Sequence, residues 1–149
     1  MTWQNILKKK FKFEDVKFEP HSFREGYTSR ITVAPNLDLS IIAGEGMGSI
    51  PQVKLKDPHS YKAYEIAFID MEENDTPFVT ADLFGGEGTD NDIMNRQPPK
   101  TIEQLVELAI KRFKKIKQDP TSSMVQGVKR RDFEEGFSRD FQDKNAMEN

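Results

Sequence analysis

The chain of 149 residues contains no cysteine. That excludes disulfides, thiolate metal sites and a cysteine nucleophile. Histidine is scarce as well, with only His21 and His59, so a zinc centre would be short of its usual nitrogen and sulfur ligands. Long apolar runs are missing. No stretch approaches the roughly 20 apolar residues that a membrane span needs. The opening MTWQNILKKKFKF places lysines where a secretory leader would need its cleavage site. A cytoplasmic or virion-associated protein that does not enter a membrane is the expectation.

Complete nucleotide motifs are also lacking. Gly44, Gly46 and Gly48 stand in IIAGEGMGSIP, behind an apolar run. A dinucleotide loop needs its third glycine one residue later, and it must open a helix whose N-terminus faces the phosphates. Ser49 holds that place, and Pro51 with QVKLK does not begin an amphipathic helix. No Gly-Lys-Ser/Thr follows, so a phosphate-cradling lysine is missing too. The expectation is a turn in which glycine supplies positive φ.

The second glycine cluster, LFGGEGTDNDIMN, falls short of a calcium loop. Asp90 and Asp92 fit the first ligand positions, but Met94 takes the third. Ser60, His59 and Asp57 are neighbours in sequence, which does not make a catalytic triad. The sequence therefore names no catalytic residue, no cofactor and no metal ligand.

What is present is charge, unevenly spread. Residues 1–24 carry a net +3, residues 71–99 a net −6 and residues 100–118 a net +4. Such a distribution suits internal pairing or two faces of opposite sign. Lys111, Lys114 and Lys115 lie off the apolar stripe of a predicted helix at 101–117 and are candidate nucleic-acid contacts. Lysines near a helix C-terminus also suit its dipole without any ligand.

That helix is the clearest element. Ile102, Leu105, Val106, Ala109, Ile110, Phe113 and Ile116 recur at helical spacing. Thr101 and Gln104 suggest a capping box. A shorter helix is expected over 3–10. Two hairpins are expected between the helices: TSRITVA with LDLSIIAG across Pro35-Asn36, then YEIAFID with PFVTADLF across MEENDT. The fold class is α+β: about four antiparallel strands with an N-terminal and a long C-terminal helix on one face, spanning residues 1–118.

Residues 119–149 form a polar C-terminal tail. Phe133, Phe137 and Phe141 interrupt it at four-residue intervals, so a helix would align them. Gly136 weakens that helix in isolation by about 1 kcal/mol. The first functional expectation is a non-enzymatic interaction or accessory module of a larger assembly, self-association included, that binds through Phe133, Phe137 and Phe141. Nucleic-acid binding through the lysines is the alternative, and a small-ligand or catalytic site near the glycine loops comes third.

Overall fold

In the computed structural model, the described residues are 2–3, 10–73, 77–85 and 92–118. They form an α+β fold around a five-stranded antiparallel sheet, ordered β1 (Glu19–Pro20), β2 (Gly26–Ala34), β3 (Leu37–Gly44), β4 (Tyr64–Asp70) and β5 (Met94–Gln97). A short helix α1 (Thr80–Phe84) and a long helix α2 (Pro99–Gln118) complete it. Single 3-10 turns at Phe13–Asp15 and Pro58–Ser60 join these elements.

The β2–β3 hairpin follows from its turn. Proline fixes a negative φ at position 35, and Asn36 adopts φ 64°, a region that asparagine tolerates better than most residues. The register pairs Ile31 with Leu39 and Ser29 with Ile41, and β4 adds Phe68 and Ile66 opposite them. These residues share one face because side chains alternate across a strand. Leu39, Ile41, Ile66 and Phe68 are fully enclosed, as are Ile102, Leu105, Val106 and Phe113 of α2 in the same cluster. Each such side chain contributes roughly 1.5–3 kcal/mol by leaving water. Val33 is buried as its alternation expects, whereas Ile31 is only half-buried near the bulge at Thr32–Ala34.

Three expectations need correction. PFVTADLF is not the second strand of a hairpin. Phe78 makes one bridge to Ile69 and the Val79 N–H donates to the Phe68 carbonyl, but Thr80 then begins α1. The Thr80 hydroxyl accepts from the Phe68 N–H at 2.9 Å and donates to the Asp92 carbonyl at 2.8 Å. One side chain thus takes over the ladder where the strand breaks off. The edge resumes two residues after Asp92 as β5, which pairs Met94 with Ile66 and Gln97 with Tyr64.

The strand count is therefore five, because β5 and the short β1 extend the sheet at its two edges. Thr101 is not the helix cap either. Proline suits the first helical position, since its φ is already helical and its missing N–H is not needed there. The helix accordingly starts at Pro99, with the Ile102 N–H donating to the Pro98 carbonyl, and Thr101 is buried in the first turn.

Of the helix expected over 3–10, Trp3 is in helical conformation and packs 6.4 Å from the Phe113 ring, Lys10 is not helical, and residues 4–9 lie outside the described residues. After it, Phe13 and Val16 enter the core, and the Phe13 N–H donates to Glu103 on α2 at 2.8 Å. No helix among the described residues is long and apolar enough to cross a membrane.

Candidate functional site

The glycine loop at 44–48 is built to hold itself. Gly44 has φ 144° and Gly46 φ 73°, values that other residues adopt at a cost. A side chain at Gly44 would meet the Glu25 carbonyl at 2.5 Å, because the strands cross closely where Gly26 pairs with Gly44. Four of the five amides over 44–48 that could have cradled an anion are already committed. Gly44 N–H donates to Ser49 Oγ, Glu45 N–H to the Glu25 carbonyl, Met47 N–H to the Gly44 carbonyl and Gly48 N–H to Glu65 Oε1. The loop is a turn stapled to its neighbours.

Both histidines are placed by structural contacts. His21 Nδ1 accepts from the Phe23 and Arg24 N–H groups, which shapes the β1–β2 turn. His59 packs edge-on against Phe13 and Phe18, with ring centroids 5.9 and 5.2 Å away. Its Nδ1 is 3.9 Å from Asp57 Oδ1, beyond hydrogen-bond range. Ser60 Oγ donates to the Asp57 backbone carbonyl instead of meeting the imidazole. These three residues form a turn. Among the described residues no group of three His, Asp or Glu side chains could hold a metal ion. Asp92 is exposed, and the rest of its acidic loop, with Glu87 and Asp90, lies outside the described residues.

The candidate nucleic-acid contacts lie on α2. Lys111 and Lys115 are exposed and Lys114 is half-buried, while Arg112 turns inward and donates to the Leu83 carbonyl at 2.6 Å. The same helix carries Glu107, which meets Lys10 at 3.6 Å, so its surface has mixed sign. At its end, Lys117 Nζ lies 2.8 Å from Asp70 Oδ2 and 3.7 Å from Glu72 Oε1. Burial pulls the Lys117 ammonium pKa down, but the Asp70 hydrogen bond and the charges of Asp70, Glu72 and Glu73 outweigh it and leave it raised.

Sequence reasoning missed a surface on the side of the sheet away from α2. Arg30, Asp38 and Ile69 fall there by register. Arg30 Nε and Thr32 Oγ1 both donate to the Asp38 carboxylate, at 3.0 and 2.8 Å. Phe78 pairs directly with Ile69 and is 42% exposed; Met71 is 50% exposed, with its sulfur 3.1 Å from Arg30 Nη2. The result is an exposed apolar patch of Met71 and Phe78 over the buried Ile69, beside a charged network. The alternation of β4 already put Ile69 opposite Phe68, but nothing local in the sequence showed that Phe78 would pair there. The tail candidates Phe133, Phe137 and Phe141 lie outside the described residues. Comparison with protein-family models, curated proteins and solved structures gave no match.

Proposed function

We propose that the chain is a small non-enzymatic accessory module that associates with another protein chain through its C-terminal segment, with Phe133, Phe137 and Phe141 as contact residues. The described core supports this reading. It runs continuously from Phe13 to Phe113 and fully encloses its largest side chains. Three further rings need a protein surface of their own, since burying even two is worth roughly 3–6 kcal/mol. The committed amides of the glycine loop weigh against the ligand-site alternative.

Affinity capture from the native source, comparing the full chain with Phe137→Asp, tests the proposal. Loss of a specific partner, or of a larger mass in sedimentation, is the expected outcome. Identical association by both chains would refute it. The nucleic-acid alternative predicts binding that weakens steeply with salt, and whose salt slope flattens when Lys111, Lys114 and Lys115 are reversed to glutamate.

A further inference from the structure

The outer patch sits at the hairpin end of the sheet, and so does the last described residue. Lys117 bonds Asp70 there, and Gln118 is the next residue. Fourteen residues, 119–132, separate it from Phe133. Fully extended they reach about 46 Å, more than enough to round the end of a sheet. Lys129, Arg130 and Arg131 stand just ahead of the first of the three phenylalanines. The hairpin end offers the opposite sign: Asp70 is buried and bonded to Lys117, and Glu72 and Glu73 stand exposed beside that pair. Beyond them the exposed Met71 and Phe78 lie over the buried Ile69, on the side of the sheet away from α2.

We propose that this chain's own residues 129–141 dock across that outer face. The basic triplet meets the exposed Glu72 and Glu73, and the phenylalanine rings cover Met71 and Phe78. The inference rests on the reading that those rings bind a protein surface, and it names the surface they occupy before any partner arrives. A short tether favours this internal site, because it holds the segment at an effective concentration in the millimolar range. A partner that takes the rings must then displace them from the sheet.

The native absence of cysteine makes the test clean. The full chain is prepared with Met71→Cys plus Ser138→Cys, and separately with Ser22→Cys plus Ser138→Cys. Ser22 lies at the opposite end of the sheet, in the β1–β2 turn. A short bis-maleimide should join the first pair within one chain roughly tenfold faster than the second, as a tethered contact requires. Adding Phe137→Asp or Phe78→Asp should remove that advantage while the far-ultraviolet circular dichroism stays unchanged. Equal rates for the two pairs would overturn the proposal. So would a product found only at twice the chain mass, which would place the segment on a second copy. Equal rates with tail-dependent assembly intact would sink this inference alone. A fast internal cross-link, together with capture and sedimentation that find no partner and no larger mass for the full chain, would sink the proposed function alone.

Discussion

The two faces of the sheet are built on opposite principles. On the inner face, Leu39, Ile41, Ile66 and Phe68 meet α2 without an exposed atom of consequence, and polar groups there are few and bonded. Ser29, for example, donates to the Lys17 carbonyl at 2.7 Å. On the outer face, Thr28, Arg30, Thr32 and Ser40 share the surface with Phe78 and Met71. An antiparallel sheet tolerates this because only one face has to be dry. The inner face carries stability, and the outer face is free to carry recognition.

Mutations should separate the two. The largest effect is expected from Phe113→Ala, which removes a buried ring beneath Trp3 and should cost about 3–5 kcal/mol in denaturant unfolding. A cost below about 1 kcal/mol would mean that the helix does not seal this face.

Thr80→Val keeps the shape but strands the buried Phe68 N–H. About 1–3 kcal/mol should be lost, whereas Thr80→Ser should recover most of it.

Alkali should act next, and through the inner face. Burial raises the Tyr64 phenol from 10.0 to about 12, and the Lys117 ammonium is also raised. The unfolded chain therefore gives up these protons first. Stability should be whole below about pH 10 and fall as the pH climbs through the folded values. Tyr64→Phe should blunt the fall seen by circular dichroism, at the cost of its hydrogen bond to the Pro58 carbonyl. An unchanged alkaline midpoint would remove Tyr64 from the account.

Smallest of all should be Thr28→Val on the outer face, within about 0.5 kcal/mol of the parent. A loss comparable to that of Phe113→Ala would erase the contrast between the faces.

Much of the inner face could be read from the chain. Ile102, Leu105, Ala109 and Phe113 repeat at helical spacing, and Tyr64, Ile66 and Phe68 alternate as a half-buried strand should. Both patterns are local and strong. The failures have physical causes. Phe78, Val79 and Thr80 are good strand formers, and the first two do pair with β4, but the hydroxyl of Thr80 ends the ladder early. Met94, Asn95, Arg96 and Gln97 show no apolar alternation because they form an edge strand with little to bury. Asp57 starts a turn, its carboxylate accepting from the His59 N–H. The outer patch was illegible for a different reason. It exists only once Phe78 is paired with Ile69, and strand register is a property of distant segments.

The interrupted edge of the sheet has one more consequence. Thr80 Oγ1 ties the Phe68 amide to the Asp92 carbonyl, so the chain leaves the sheet and returns to it at a pinned neck. Before Gly85, α1 has already delivered Leu83 and Phe84 to the core. Lengthening the chain between Gly85 and Asp92 should therefore be cheap, because doubling a closed loop costs only about 0.6 kcal/mol. The fold thus offers a grafting port. A peptide epitope or a small reporter spliced in after Gly85 should leave the sheet intact, whereas the same insertion at the Pro35-Asn36 turn would pull apart the hairpin that sets the register of β2 and β3.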